Sequence, residues 1–458
     1  MCARKSRVFR RWLSKLTGLT SLCLVFCGAS QAQSYYVNCT TGSDSNPGTL
    51  SQPFKTLQKA QTAMQHSGTK ETTVESCSYS IAGGAWKFGS SDNGETWVPY
   101  AGADVVIDGG GSGYITLTSV SNFTFEGFTL QHMPGGSSRD GDMIATGGSG
   151  YTFRWNTFLS CNGFCISING ASSSLVDSNT INGQGPATFG GVPGTSYAAL
   201  SFGPGSSNRV SHNLIENCQG GGIAFRRGPS DPVINNTTID RNLIENVTTG
   251  GSESFYHDFG AIYLYDGGTA QSTGLTVTNN DIFGGEGPNY LTDQIKSIYL
   301  DASVSGVLVQ GNICNKCGEW AVQINGGKSN IVTNNIFDLS QSVALLDLYQ
   351  NFNGATNMSG NTWTNNIVWT SESFPGRLRN EFGGPGNPPA VSTNDYWPTI
   401  PAHCPGCTPA FTDTNPKNCD PGFVDPASNN YTVTSTSCTA QIGWKALPTD
   451  QGPLPNPF

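Results

Sequence analysis

Charge is scarce in this chain. Asp, Glu, Lys and Arg make up 12 % of its 458 residues, about half the roughly 25 % of an ordinary globular domain. A disordered chain needs high charge and few apolar residues; 36 % hydrophobic and 10 % aromatic residues exclude that class. Glycine is abundant, at 58 residues, but has no three-residue period, which excludes collagen. The apolar stretch 16–29 is shorter than the roughly 20 residues a membrane-spanning helix needs. No dense Asp/Glu cluster reads as a calcium site.

Basic charge is concentrated at the start. Arg4, Lys5, Arg7, Arg10, Arg11 and Lys15 precede the apolar stretch, and Ser30-Gln31-Ala32 supplies small residues at the positions a signal peptidase reads. Residues 1–32 therefore read as a secretory signal peptide, with Arg10-Arg11 a faint twin-arginine feature. Its removal leaves 17 basic against 32 acidic residues, a net charge of −15. That sign disfavours nucleic acid and anionic membrane as partners. The expected location is periplasmic or extracellular. Eleven of the 14 Cys lie beyond the signal, where an oxidising compartment favours disulfides. Cys314-x-x-Cys317 and Cys404-x-x-Cys407 resemble zinc half-sites, but export favours disulfides there, so neither metal nor cofactor is expected.

The organisation is that of a repeat. A short β-type run followed by Asn and an apolar residue returns at Asn156, Asn179, Asn213, Asn242, Asn280, Asn312, Asn335 and Asn366, at intervals of 23, 34, 29, 38, 32, 23 and 31 residues. An interval of 23 suits one coil of three short strands and three turns; longer intervals carry loops. Asn tolerates the left-handed backbone of a sharp turn, and stacked Asn side chains can hydrogen-bond from coil to coil. The second strand of each unit shows period-2 alternation, as in Ile262-Tyr-Leu264 and Ile298-Tyr-Leu300. Cys161, Cys218 and Cys317 each sit five residues after a repeat Asn, which predicts one inward register. The fold class is all-β: a right-handed parallel β-helix with an N-terminal helical cap over about 54–64 and an irregular C-terminal cover. The boundaries are 1–32 for the signal peptide, 33–99 for the cap and entry segment, 100–384 for the β-helix, and 385–458, where the Asn repeat stops, for the cover. A monomer is expected.

Several motifs carry a resemblance. Gly42-Ser-Asp44-Ser-Asn46-Pro47-Gly48-Thr49 and Pro53-Phe54-Lys-Thr56-Leu57 resemble the entry of secreted β-helix proteins acting on polysaccharides. Thr96-Trp97-Val-Pro-Tyr100, Val106-Ile107-Asp108-Gly109-Gly110, Asp258-Phe-Gly260-Ala261-Ile262-Tyr263 and Ile298-Tyr299-Leu300-Asp301 are more specific. With Asp420-Pro421-Gly-Phe423 and Ile442-Gly443-Trp444, they make the chain similar to glycoside hydrolase family 141 over about residues 35–447. Two departures, Ser437-Cys438 for the family's Ser-Pro and Asn430 for its acidic residue, concern the cap. The resemblance implies an enzyme hydrolysing glycosidic bonds in plant cell-wall polysaccharide, with Asp258 and Asp301 as the catalytic pair.

Strand register gives an independent view. With Ile223, Ile262, Ile298 and Val322 aligned inward, one outward row is Ala224, Tyr263, Tyr299 and Gln323; the next is Arg226, Tyr265, Asp301 and Asn325. Such a stripe, one coil every 4.8 Å or so, suits a sugar-binding floor. Asp301 then points to solvent from its middle, with Arg226 as its cation. Asp258 lies seven residues before Tyr265, the register partner of Asp301. In an extended strand that is about 23 Å, beyond the roughly 5–9.5 Å of glycosidase pairs, so the chain must bend before Gly260. Asp266, Glu253 and Glu286 are rival partners, and His257 could bond a carboxylate or sugar. Residues 248–257 and 284–296 read as cleft walls. Two alternatives stay open: a pectate-lyase-like polysaccharide lyase, with basic groups from Arg226, Arg227 and Lys296, and a non-catalytic carbohydrate-binding protein.

Overall fold

The computed structural model describes residues 34–458 except 135–140, 186–197, 248–259, 269, 285–295, 316, 318–319, 341–345, 350–357, 371–377, 381–388 and 400–411. Strands of three to seven residues succeed one another in a fixed rotation and build three long parallel sheets. Among the described residues sheet I has 13 strands, from Tyr35–Val37 to Ala390–Ser392; sheet II has 11, from Ala85–Phe88 to Leu378–Asn380; sheet III has 12, from Cys77–Ser80 to Asp395–Trp397. This is the β-helix the repeat predicts. Alternation along each strand sends aliphatic and aromatic residues inward, where they stack coil on coil: Ile223, Ile262, Ile298 and Val322 are register partners in sheet II and all fully buried.

The corner between sheets I and III carries the Asn ladder. Each Asn Oδ1 accepts the backbone N–H and side-chain Nδ2 of the Asn one coil earlier. Asn242 does so for Asn213 at 3.1 and 2.9 Å, and Asn280 for Asn242 at 3.0 and 2.9 Å. The Asn Nδ2 also donates to a carbonyl, as Asn213 does to Val176. These amides are fully buried, and each satisfied bond avoids a desolvation cost of about 1–3 kcal/mol. The left-handed residue, however, is not the Asn but its predecessor: Trp155, Ser178, His212, Arg241, Asn279, Gly311, Asn334, Asn365 and Thr393 all have φ between 52° and 71°. A left-handed step turns the chain, and the next residue aims its amide into the stack. Trp, Arg and Thr are poor residues for that step, so the ladder bonds offset the strain. The ladder also outruns the visible repeat. Asn394 accepts from Asn366, and Asp413 ends the stack by accepting from Asn394. An Asp can close the ladder because it needs only to accept.

The helix Leu57–Gln65 begins at the N-cap Thr56, whose side chain accepts from Lys59 N–H, and buries Leu57, Ala60 and Met64 in the solenoid core. Towards the other terminus, a hairpin of Phe423–Asp425 with Asn430–Val433 and the helix Thr436–Ile442 pack Tyr431 and Ile442 on the outer face of sheet III, against Ile313, Ile336 and Ile367. Cys161, Cys218 and Cys317 are buried in the main core, as their shared register predicts. Disulfides join Cys39–Cys77, Cys161–Cys165, Cys314–Cys317 and Cys419–Cys438; Cys404 and Cys407 lie outside the described residues. Among the described residues no His/Cys/Asp/Glu group could hold a metal ion, and no helix is long and apolar enough to cross a membrane.

Candidate functional site

Sheet II presents two outward rows. Pairing runs Ala224–Tyr263–Tyr299–Gln323 in one and Arg226–Tyr265–Asp301 in the other, with Asn325 completing the second beside Asp301. The site row expected from the sequence is therefore assembled, but it is not solvated. Asp301 is only 4 % exposed, because neighbours on three sides close over its carboxylate. Tyr263 Oη donates to Oδ2 at 2.7 Å, while Asn325 Nδ2 and the backbone N–H of Ala302 donate to Oδ1, each at 2.7 Å. All three contacts treat Asp301 as an acceptor. Burial, reinforced by the Asp301 charge, pushes the Tyr263 hydroxyl well above its ordinary range, so it remains a protonated donor.

Cations flank this pair without binding it directly. Arg226 makes no ion pair with Asp301. Its guanidinium lies 5.3 Å from the centroid of Tyr265 and 6.0 Å from that of Tyr263, a cation–π placement. Lys296 is buried, with Nζ 4.7 Å from the Tyr299 ring and 5.0 Å from that of Trp320. Several polar atoms here are buried and lack a hydrogen-bond partner: Gln323 Oε1, Asn325 Oδ1, Arg226 Nε and Trp320 Nε1.

A groove of about 490 Å³ runs over the outer face of sheet II and ends at Arg226 and Tyr265, the latter being the register partner of Asp301. Ser167, Asn169, Ser201 and Asp231 also line it. Ser167 and Asn169 were legible from the alternation of Phe164–Asn169; Lys296 was named from the sequence only as a basic group, and its contact with Trp320 was not legible because it is made between strands. Gln323 pairs in turn with Asp347 along the sheet. Its sequence signal is Leu346-Asp-Leu, a variant of the Ile298-Tyr-Leu pattern.

Asp266, a rival partner read from the sequence, is held away from Asp301 by its own contacts. It ion-pairs with buried Arg227 at 2.5 Å and accepts from the N–H groups of Gly268 and Ser272, which ties it into the turn after its strand. Asp258, His257, Glu253 and Glu286 lie outside the described residues, as do the expected walls except Gly284 and Lys296. The strand begins at Gly260, paired with Lys296.

Comparison with known proteins bears on the fold. Solved structures align with the chain at low identity. A complex of XylC with xylose aligns at TM-score 0.56 and 13 % identity, over 93 % of this chain and 94 % of that one. The GH136 lacto-N-biosidase from Eubacterium ramulus gives 0.49 at 11 % identity, over 85 % and 67 %. The polygalacturonase from Erwinia carotovora ssp. carotovora gives 0.38 at 11 %, over 76 % and 96 %. No curated protein matches the chain by sequence. Residues 102–282 match the family model described as a right handed beta helix region, and with three parallel sheets wound in succession this chain is an all-β, right-handed parallel β-helix.

Proposed function

We propose that this chain is an exported carbohydrate-active enzyme that hydrolyses glycosidic bonds in a plant cell-wall-type polysaccharide, as its resemblance to glycoside hydrolase family 141 implies. The observation that carries the reading is the buried Asp301 carboxylate, which accepts from Tyr263 and Asn325 and is the register partner of Tyr265, a residue that lines the groove on sheet II. Glycoside hydrolysis needs one carboxylate as nucleophile or base and a second carboxyl as acid. Asp301, contacted only by donors, has the geometry of the first. Asp258 is assigned the second role, protonating the leaving oxygen. Tyr263 and Asn325 hold the Asp301 carboxylate in place. Tyr265 and Tyr299 offer ring faces to the sugar, and the orphaned Gln323 and Asn325 oxygens accept from its hydroxyls. His257 is proposed as a further contact to substrate. The chain acts as a monomer outside the cytoplasm after loss of residues 1–32. The fold shared with the xylose-bound XylC complex is compatible with a saccharide ligand.

A lyase reading draws on one observation: Arg226, its Nε without a hydrogen-bond partner, lines the groove two coils from Asp301, where a cation would neutralise a uronate. Both readings are tested by incubating the chain from residue 33 onward with neutral and acidic cell-wall polysaccharides. Hydrolysis releases ordinary reducing ends, whereas elimination leaves an unsaturated end absorbing in the ultraviolet. Reducing ends that vanish in Asp301→Asn support hydrolysis. An ultraviolet-absorbing product overturns it in favour of the lyase, and undiminished turnover by Asp301→Asn overturns the assignment of that residue.

A further inference from the structure

A second groove, of about 570 Å³, lies on a different face of the solenoid. Its floor is one outward row of sheet III, read coil by coil as Glu245, Phe283, Asn315, Asp338 and Trp369. Pro426, Ala427 and Asn429 of the C-terminal segment form a wall. Carboxylate, ring, amide, carboxylate and ring thus follow one another at the strand spacing of about 4.8 Å. That spacing is close to the length of one pyranose unit in an extended glycan. The volume falls within the roughly 300–1,000 Å³ of small-molecule sites.

The polar groups here differ in how far they are engaged. Asp338 is buried and saturated: Tyr431 Oη donates to Oδ2 at 2.6 Å and Ser340 N–H to Oδ1 at 2.9 Å. Asn315 is bonded to Asn429 across the groove. By contrast, no described residue donates a hydrogen bond to the half-buried Glu245 carboxylate, and the buried Oδ1 of its neighbour Asn246, which also lines the groove, has no partner. Burial and the adjacent Glu216 raise the pKa of Glu245. Two open acceptors beside two half-buried rings ask for a ligand with hydroxyl donors and apolar ring faces. Glu216, Glu245 and Asp338 repel a uronate, so the ligand is uncharged. Only one carboxylate is open, and hydrolysis needs two.

We propose that this row is a second, non-catalytic binding site for a neutral oligosaccharide, stacking sugar rings on Phe283 and Trp369 and accepting hydroxyls at Glu245 and Asn246. The site would hold a glycan chain on one face of the solenoid while another face carries Asp301.

The test is calorimetric titration of xylohexaose and cellohexaose, with polygalacturonate as the charged comparison, into the Asp301→Asn chain so that nothing is turned over. At least one of the two hexaoses should bind at a class of sites that Phe283→Ala and Glu245→Ala each weaken tenfold or more, and that Tyr265→Ala on sheet II leaves unchanged. Glu245→Gln, which keeps the shape, should show a smaller loss with an unaltered melting curve. The proposal is overturned if neither hexaose binds, if binding survives Phe283→Ala and Glu245→Ala, or if polygalacturonate occupies the same class as tightly. Because the readout is binding, absence of hydrolysis in the parent chain would count against the reading of sheet II alone.

Discussion

The Tyr263 hydroxyl reaches from one coil to the next and donates to Asp301 Oδ2 at 2.7 Å. Such a bond to a charged group contributes roughly 1.5–3 kcal/mol. Tyr263→Phe removes the donor and keeps the ring. It should lower kcat/KM on the polysaccharide found to be the substrate by about 10- to 100-fold, with the fold intact by circular dichroism. Asp301→Asn should go further and remove nearly all turnover. A Tyr263→Phe enzyme as fast as the parent would show that this contact does not act on the chemistry.

The ladder predicts a stability effect with a specific position dependence. Asn280 accepts from the backbone and side chain of Asn242 and donates to Asn312 and to the Ile239 carbonyl, all buried. Asn280→Ala strands several of those groups and should cost about 3 kcal/mol or more, read from urea unfolding. Asp413→Asn at the end of the stack turns one of two engaged acceptor oxygens into a donor but disturbs only the last step of the ladder, and should cost less. Equal losses at both positions would argue against a cooperative ladder.

The last residues form a strap over the left-handed corners. Lys445 N–H donates to Asn334 Oδ1 at 2.6 Å, Gly452 N–H to the Arg241 carbonyl at 3.0 Å and Leu454 N–H to Ser178 Oγ at 3.3 Å, while Phe458 meets Trp155 edge-on at 6.0 Å. Deleting 448–458 removes two of these bonds and the ring contact, and should lower stability by about 2 kcal/mol while leaving the far-ultraviolet spectrum unchanged. The Arg241–Asp450 pair, with Asp450 54 % exposed, should contribute under about 1 kcal/mol on its own. A deletion without effect on the melting temperature would mean the strap is not held in solution.

Glu95 is buried beneath the N-terminal cap, with Oε2 accepting from Trp97 Nε1 at 3.1 Å and Oε1 without a partner. Burial, with the charge of Asp92 added, pushes its pKa up to about 9. The folded state thus holds a proton that the unfolded chain releases near its ordinary value of 4.5. This contribution to stability is complete below about pH 4.5 and is lost as pH rises towards 9. Glu95→Gln cannot ionise, so its melting temperature should gain on the parent progressively from pH 5 to pH 8. Parallel melting curves across that range would contradict the buried, protonated carboxyl.

Local chemistry made the solenoid legible. Alternation in Ile262-Tyr-Leu264 and Ile298-Tyr-Leu300 sets which side chains face inward, and strand pairing then places Tyr263 beside Tyr299 and Tyr265 beside Asp301. Those relations depend only on register, which a period of two fixes once one face is apolar. The recurring Asn likewise announced the coils. Its immediate neighbours hid the turn geometry, because residues as unlike as Trp155 and Thr393 adopt the left-handed step and no residue type signals it.

What only the tertiary structure decided is what closes around those rows. Asp301 reads as an exposed strand-end carboxylate until Tyr263 and Asn325 converge on it from the coils on either side. Asp266 reads as a rival until Arg227, one coil away, takes it. The groove on sheet III exists because residues 426–429 return to a row laid down by residues 245–369. Burial, ion pairing and cavities depend on which distant segments share space, and that follows from the number of residues in each coil and the path of the C-terminal segment rather than from any local pattern in the sequence.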